Sequence, residues 1–486
     1  MVALPPRLSA RLRAPGAAWV VAFASLAALS GLLAAVVGSA LPLLVAPGVA
    51  AGLAALADIR RAFYATVAAI ALSVEVQFGS LGTDLPVEPL LVATAGLTLV
   101  YLVARARHLP ARLGLHPVSL ALLAHLAWIG FTSLTSAYPV TSVKFLAAKS
   151  WYVLPCYFLA AALIARERRV WITTMAWYAV PLIGVLAYCL LRHASYGFSF
   201  ADVERAMSPF FRGHVNYAAL ASITLPLLIA AAALARAGSA ARWTLGLAAL
   251  LAAVAVYTSY TRAAYVALGL GLAWTAAAHF RLTRVGLVGA AVVLATVATF
   301  LVSDNRFFGL APDYNKTVTH RDFDNLLEAT YKLEDISTME RLYRWVAGGY
   351  MTVAKPLLGF GPGNFYRYYR GYALEEFRTY VSDNPEQSGV HNYLLMTLVE
   401  QGWPGLLIFL TVCALGLIAA ERAYHRARDR QGRVLALAAG CSLVVNLSFQ
   451  LINDLLESDK SGTWFFLCLG LVVALELRAA PAQRRA

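Results

Sequence analysis

The sequence predicts an all-α polytopic membrane protein. Its 486 residues are 60% hydrophobic and 14% charged, whereas soluble domains are about 45–50% apolar and about 25% charged. The mean hydropathy is +0.65. Apolar runs of about 17–25 residues recur along the chain, and each is long enough to cross roughly 30 Å of hydrocarbon. We therefore expect about 12–14 transmembrane helices, since some runs are short or joined by tight turns.

The first run follows Arg7, Arg11 and Arg13, as in a signal peptide, but further spans follow it. We interpret it as an uncleaved first helix. The five cysteines all lie in apolar runs and show neither metal-binding spacing nor a disulfide framework. The candidate spans are residues 16–37, 39–57, 62–79, 88–104, 118–136, 143–165, 171–191, 216–235, 243–259, 263–280, 285–303, 392–420, 434–452 and 462–478.

The distribution of basic residues predicts the orientation. When the spans are threaded with the N-terminus inside, the inside loops are short and rich in arginine, as the positive-inside rule expects. The loop at 80–88 has no basic residue and faces outside. Both termini are then cytoplasmic. The net charge of +14 is explained by this topology, so no nucleic-acid partner is predicted.

One long segment, residues 304–390, falls on the outside. It separates a membrane region at 1–303 from C-terminal spans at 391–486. Ser337 and Glu340 have the spacing of a helix capping box, and an amphipathic run follows until Lys355-Pro356. We expect a helix lying over the membrane and then a glycine-rich turn, GFGPGN.

Several basic groups break the positive-inside pattern by lying at the outer face. Arg212 could instead be a residue that snorkels to the membrane interface. His391 and His214 could be ordinary interfacial or packing histidines. Arg262 interrupts an apolar stretch, where charges are expensive and usually functional. The outer basic groups are Arg212, His214, Arg262, Arg341, Arg344 and His391.

Together these residues suggest phosphate chemistry at the outer membrane face. Arginine binds phosphate oxygens through paired hydrogen bonds, and histidine can accept a proton near neutral pH. The lipid-embedded anion available there is a polyprenyl phosphate or pyrophosphate. We therefore expect group transfer from a lipid pyrophosphate. The pair Asp322 and Asp324 is a weak alternative signal for a metal site, and no metal or cofactor is predicted.

At these residues the chain resembles the O-antigen ligase and polymerase superfamily. The likeness covers roughly residues 205–410, and it departs from the family pattern at Ala263, where the family has glycine. Three stretches carry it. They are RGHVNYAAL; YTRAAYVAL; and ERLYRWVAGGYMTVAKPLLGFGPGNF with VHNYLLMTLVEQGWPGL.

The resemblance implies a GT-C-type glycosyltransferase of the bacterial inner membrane, with its active site facing the periplasm. The donor would be an undecaprenyl-pyrophosphate-linked glycan, and the acceptor the lipid A–core of lipopolysaccharide. Transfer would invert the anomeric carbon without metal. Arg212 and Arg262 would hold the pyrophosphate, and His391 would be the general base. The substrate-binding residues implied are Arg341, Asn392, His214, Gly361 and Gly363.

The sequence leaves three other functions open. A polymerase would use the same donor with a second lipid-linked glycan as acceptor. A protein O-oligosaccharyltransferase would pass the glycan to Ser or Thr. A transporter or flippase often shows internal repeats and helices broken at mid-membrane, and no repeat is visible here. We favour a ligase because the outer segment is single and contiguous.

Overall fold

The structure is a computed structural model that describes residues 58–78, 81–105, 112–311, 336–379, 382–383 and 388–479. The chain divides into two compact units, Met1–Ala62 and Phe63–Ala486. The predicted spans 16–37 and 39–57 lie outside the described residues. The division into regions 1–303, 304–390 and 391–486 stays a prediction.

The structure is 80% helical, which confirms the predicted all-α fold. A π-helical turn, Leu154–Leu159, joins α4 to α5. Short 3₁₀ segments are Ser303–Leu310, Tyr369–Tyr372, Glu375–Phe377 and Leu455–Glu457. The α-helices are α1 Ile59–Leu72, α2 Val87–Ala104, α3 Pro117–Leu134, α4 Pro139–Val153, α5 Ala160–Arg166, α6 Arg169–Ser195, α7 Val203–Met207, α8 His214–Leu234, α9 Ala240–Thr258, α10 Arg262–His279, α11 Thr283–Val302, α12 Ile336–Ala354, α13 Phe365–Tyr368, α14 Tyr393–Arg426, α15 Arg430–Gln450 and α16 Asp459–Ala479.

Ten helices in the described part of the chain are long and apolar enough to cross a membrane, counting continuous π and 3₁₀ extensions. Two predicted spans are not among them. Helix α1 has 14 residues and ends at Leu72, before the predicted end at 79. Helix α10 has 18 residues, but Arg262 and His279 at its two ends reduce its hydropathy.

Residues 74–78 and 81–85 form a β-hairpin that the sequence analysis did not predict. Strands β1 Val74–Phe78 and β2 Leu81–Leu85 pair antiparallel, with Glu75 opposite Asp84. In VEVQF, apolar and polar residues alternate with the period of two that a strand requires. The predicted span at 62–79 is therefore wrong in its second half, because the alternation was treated as part of an apolar run.

The helices have two distinct ends. At the basic end, α5, α14 and α16 end while α6 and α15 begin. Ion pairs cross this end between Arg168 and Asp429, and between Arg422 and Glu476 at 2.7 Å. At the opposite end, here called the His391 end, α8, α14 and α16 begin and α15 ends. Helix α16 is central and almost entirely buried, whereas α11 buries only Thr283.

Helix α12 is amphipathic, as predicted from its spacing. Met339, Tyr343, Ala347 and Met351 are buried along one face at intervals of four residues. The capping-box prediction is wrong, because α12 begins at Ile336 and so includes Ser337. The Glu340 carboxylate instead accepts hydrogen bonds from the Thr379 and Ser382 hydroxyls and pairs with Arg344 at 3.3 Å. Glu340 thereby ties residues 379 and 382 to α12.

Candidate functional site

A cavity of about 890 Å³ lies at the His391 end. The hairpin, the start of α8, the start of α12, the segment before α14 and the loop between α15 and α16 all contribute to its walls. Four of the eight predicted site residues line it: Arg212, His214, Arg341 and His391. Residues separated by almost 180 positions in sequence therefore meet at one cavity.

The backbone next to His391 is held from two sides. The indole N–H of Trp345, on α12, donates to the Val390 carbonyl at 3.0 Å. On the other side, the Tyr393 N–H donates to the Asn453 carbonyl at 3.2 Å. His391 itself has φ 54°, a left-handed conformation that few non-glycine residues adopt. Such a conformation persists only where neighbouring contacts fix it, and these two hydrogen bonds supply that fixation.

Gly389 allows the turn before His391 to approach the loop between α15 and α16. A Cβ at this position would overlap the Asp454 carboxylate. Arg344 donates to the Gly389 carbonyl at 3.4 Å, and the Asp454 carboxylate accepts the backbone N–H of His391. The buried Asp454 carboxylate thus orients the His391 backbone rather than its ring.

His391 is neutral at physiological pH in this site. Burial lowers its pKa to about 3, and the positive charges of Arg341 and Arg344 contribute to the decrease. A neutral imidazole can accept a proton, but a base with so low a pKa holds that proton weakly. Negative charge bound beside Arg341 and Arg344 would oppose their effect and raise the pKa. The basicity of His391 therefore depends on what the cavity contains.

Arg212 and His214 face carboxylates across the cavity wall. The Arg212 Nε lies 2.7 Å from a Glu75 oxygen on the hairpin, and the Arg212 side chain is 67% exposed. The His214 Nδ1 lies 3.4 Å from a Glu204 oxygen, and this contact lowers the pKa of Glu204. Arg212 can release Glu75 for another anion, because exposed ion pairs contribute only about 0–1 kcal/mol.

Arg262 does not line the cavity in this structure. It begins α10, and the preceding residue, Thr261, places its hydroxyl 3.4 Å from the His214 carbonyl. The two short stretches that carry the resemblance are thus in contact through Thr261. The predicted role of Arg262 as a pyrophosphate ligand stays a prediction.

Asn392 is the N-cap of α14. Its Oδ1 accepts the Leu395 N–H at 3.0 Å, and its Nδ2 donates to the Leu451 carbonyl at 3.0 Å. Both side-chain groups are occupied by backbone partners, so Asn392 joins the start of α14 to the end of α15. Asn392 does not line the cavity.

Gly361 and Gly363 belong to the glycine-rich turn at residues 359–364, which is hydrogen-bonded to α14 beside a break in that helix. We call this turn, together with Glu400, the glycine lock. The helix is interrupted at Gly402, with φ 69° and ψ −177°. The carbonyls of Val399 and Glu400, freed by the break, accept the N–H groups of Phe360 and Gly361 at 3.0 and 2.9 Å. A helix end leaves such carbonyls without partners, so the glycine-rich turn completes the helix.

The Glu400 carboxylate adds two hydrogen bonds to the glycine lock. It accepts the backbone N–H groups of Gly363 at 2.8 Å and Phe365 at 3.0 Å. Gly361 and Gly363 have φ of 90° and 75°, in the left-handed region that favours glycine. The backbones of these glycines are hydrogen-bonded to Glu400 of α14, and neither glycine lines the cavity.

A comparison with protein families bears on these residues. A family model described as O-antigen ligase matches residues 247–410. The resemblance to the O-antigen ligase family is confirmed. Members of this family are glycosyltransferase-like enzymes. No curated protein matches the chain.

The O-antigen ligase match includes Arg262, Arg341, His391 and the glycine lock, but only part of the cavity. Arg212 and His214 precede it. The loop between α15 and α16, which supplies Asn453 and Asp454, follows it. The rest of the cavity wall thus comes from residues outside the O-antigen ligase match.

The sequence analysis missed the carboxylates of the cavity. Asp84 and Glu88 come from the hairpin and the start of α2, and Asp459 begins α16. Burial and the nearby Asp459 carboxylate raise the pKa of Asp84 to about 6. Lys460 lies 3.8 Å from Asp459 and donates to the Ser73 carbonyl at 2.9 Å. The acidic residues of the loop at 80–88 are the sequence signal for these carboxylates, but the sequence analysis uses that loop only to assign orientation.

A buried lysine was also missed. Lys149 of α4 lies 2.6 Å from the Glu457 carboxylate, which lines the cavity, and 3.2 Å from the Tyr393 hydroxyl. An ionisable residue within an apolar run is a functional signal in membrane proteins. Here it fixes Glu457 against the start of α14.

No group of three or more His, Cys, Asp or Glu side chains suited to a metal ion occurs in the described part of the chain. The acidic pair Asp322 and Asp324 lies outside it.

Proposed function

We propose that the protein transfers a glycan from undecaprenyl pyrophosphate to a hydroxyl of the lipid A–core, as an O-antigen ligase of lipopolysaccharide biosynthesis. The observation that carries this proposal is the cavity in which neutral His391 lies with Arg212 and Arg341. The O-antigen ligase match over residues 247–410 supports the same reaction class.

The reaction is a displacement at the anomeric carbon. His391 accepts the proton of the acceptor hydroxyl as the new carbon–oxygen bond forms. The bond between the anomeric carbon and the phosphate oxygen breaks, and the lipid pyrophosphate leaves with the electron pair. Attack from the face opposite the leaving group inverts the anomeric carbon.

Arginine supplies the stabilisation that a divalent cation would otherwise give. Positive groups fixed where negative charge develops stabilise the transition state most in a site that excludes water. Arg212 exchanges Glu75 for a phosphate oxygen, and Arg341 binds a second one. Arg262, which follows Thr261, binds the pyrophosphate once the donor is present. Transfer therefore requires no metal.

The pyrophosphate also activates His391. Its negative charge offsets Arg341 and Arg344, which lower the pKa of His391 together with burial. An opposite charge within about 4–6 Å shifts a pKa by about 1–3 units. His391 becomes an effective base when the donor is bound and is a weak one without it.

The His391 end faces the periplasm in this proposal. Arginines are concentrated at the basic end, which the positive-inside rule assigns to the cytoplasm. Arg166, Arg168 and Arg169 lie at the junction of α5 and α6, and Arg422 and Arg426 near the end of α14. A cavity at the opposite end is open to glycans of the periplasm of a bacterial inner membrane.

Reconstitution tests the proposal. Purified protein in detergent is mixed with undecaprenyl-pyrophosphate glycan and lipid A–core in the presence of excess chelator, and the products are separated on a gel. We expect a ladder of glycosylated lipid A–core. His391→Ala should reduce the rate by about 10²–10⁴-fold, the usual contribution of general acid–base catalysis.

The matched control is His279→Ala. His279 lies at the far end of α10, where its Nδ1 contacts the Tyr424 hydroxyl at 3.0 Å, and its loss should leave transfer intact. Normal transfer by His391→Ala would reject His391 as the base. Longer lipid-linked glycan without a ladder would identify a polymerase, and strict dependence on Mg²⁺ or Mn²⁺ would reject the metal-free reaction.

A further inference from the structure

Asn453 stands out among the cavity residues that lie outside the O-antigen ligase match. It follows α15, its side chain is 6% exposed, and it lines the cavity. Its backbone carbonyl accepts the Tyr393 N–H at 3.2 Å. The loop at Asn453 is therefore fixed to the segment that carries His391.

The two side-chain atoms of Asn453 have different surroundings. Nδ2 is buried without a hydrogen-bond partner in the described part of the chain. The side chain also lies against His391, where it acts as a hydrogen-bond partner that raises the pKa of the imidazole. A partner that raises this pKa favours the protonated ring and so accepts from it. The accepting atom of an amide is its oxygen, so the imidazole N–H donates to Oδ1. A hydrogen bond to one ring nitrogen determines which nitrogen of a histidine carries the proton.

We propose that Asn453 is a positioning residue for His391. Its Oδ1 holds one ring nitrogen protonated and leaves the other able to take the proton of the acceptor hydroxyl. This inference rests on the proposed function for the proton it moves, but the contact itself can be tested without turnover.

The chemistry of this position explains why an amide suits it. A carboxylate in contact with the ring would stabilise the imidazolium and keep His391 protonated at low pH. An amide fixes the ring without adding charge, so the donor pyrophosphate controls its basicity. The charged groups that act directly on the His391 ring are Arg341 and Arg344 from α12, and Asp454 from the loop binds its backbone. The other titratable side chains that line the same cavity are Arg212, His214, Glu75, Asp84, Glu88, Glu204, Glu457, Asp459 and Lys460.

The test is the pH dependence of His391 labelling. Diethyl pyrocarbonate modifies the neutral imidazole, and peptide mass spectrometry reports His391 alone over about pH 4–8. In the wild type we expect labelling that stays constant down to about pH 4. In Asn453→Asp the midpoint should rise by about 1–3 units, because a carboxylate replaces the amide in contact with the ring.

Asn216→Asp is the matched control. Asn216 lines the same cavity from α8, so the variant adds the same charge on another wall. We expect its midpoint to move by less than about 0.5 unit, since a distant charge interacts weakly with the ring. A wild-type midpoint in Asn453→Asp, or equal shifts in both variants, would overturn the assignment of the contact.

Asn453→Leu tests the positioning role by removing the oxygen while keeping the size of the side chain. We expect kcat to fall by about 10–100-fold, because the ring loses its fixed orientation. The labelling midpoint should stay low. Unchanged kcat in a monodisperse Asn453→Leu protein would reject the role. A labelling shift in Asn453→Asp with no transferase activity in the wild type would instead reject the proposed function and retain the contact.

Discussion

The two sides of the cavity are built differently. The side that carries His391 is fixed by backbone hydrogen bonds to Trp345 and Asn453 and by the glycine lock around the break in α14. The opposite side is a two-stranded hairpin bearing Glu75 and Asp84, and an isolated hairpin is marginally stable in water.

In the proposed reaction this difference matters, because His391 must keep its position whereas Glu75 must release Arg212. The proposed base, His391, has its backbone anchored on both sides and held in a left-handed conformation. In the proposed reaction Glu75 neutralises Arg212 until an anion replaces it, and an exposed ion pair can be exchanged at small cost. We call these the His391 side and the hairpin side.

Gly402→Ala tests the rigidity of the His391 side and should have the largest effect. Its φ and ψ belong to a region that is nearly exclusive to glycine, and a Cβ would overlap the Leu357 carbonyl oxygen. We expect a loss of about 2–6 kcal/mol from backbone strain and overpacking, measured by thermal unfolding in detergent.

Gly246→Ala is the control for Gly402→Ala. Gly246 lies in α9 with no heavy atom within 4 Å of an added Cβ, so alanine should leave stability unchanged or slightly higher. If both variants unfold at the wild-type temperature, the lock around α14 does not stabilise the His391 side.

Arg212→Lys tests whether the hairpin side presents a paired phosphate contact. An ammonium keeps the charge but cannot reproduce two parallel hydrogen bonds. We expect kcat/KM for the glycan donor to fall by about 10–100-fold, or about 1.4–2.7 kcal/mol. Arg205→Lys, at an exposed pair with Asp202 outside the cavity, should be neutral. Equal turnover by Arg212→Lys would mean that Arg212 only snorkels to the interface.

The sequence predicted the His391 side better than the hairpin side. Apolar runs mark spans, and the spacing of Met339, Tyr343 and Ala347 predicted α12. Such features are local. The hairpin was missed because VEVQF follows an apolar helix without an interruption, and its strand character depends on pairing with residues 81–85.

The site could be predicted only in part for the same reason. His391 and Arg212 stand out in the sequence because the positive-inside rule predicts few basic residues at the helix ends where they lie. Asn453 and Asp84 carry no such signal, since polar residues between spans are ordinary. Only the convergence of α15, α16 and the hairpin shows that they face the same cavity, and that convergence is tertiary.

Glu75→Gln tests whether the hairpin side competes with anions for Arg212. Glutamine removes the charge that pairs with Arg212 at 2.7 Å. We expect the Kd of inorganic pyrophosphate, measured by calorimetry, to fall by about 2–5-fold, since an exposed pair contributes about 0–1 kcal/mol. Glu204→Gln, which loses a histidine partner instead, should change it less. Weaker binding by Glu75→Gln would show that Glu75 orients Arg212 rather than competing with the anion.

Asp84→Asn should give the smallest effect, and its sign is specific. Because the pKa of Asp84 is raised from 3.8 to about 6 in the folded protein, folding favours its protonated form. The stability from this group is complete below about pH 4 and is lost as the pH rises through 6. Asparagine removes this dependence, so the variant should melt roughly 1–3 °C higher than the wild type at pH 7.5.

The same comparison at low pH checks the origin of the effect. Near pH 4 a protonated Asp84 resembles asparagine, and the two melting temperatures should coincide. Asp202→Asn, at an exposed ion pair, should show no gain at pH 7.5. A gain for Asp84→Asn that persists at pH 4 would show that a change in packing, rather than the burial of the Asp84 charge beside Asp459, sets the stability of the hairpin side.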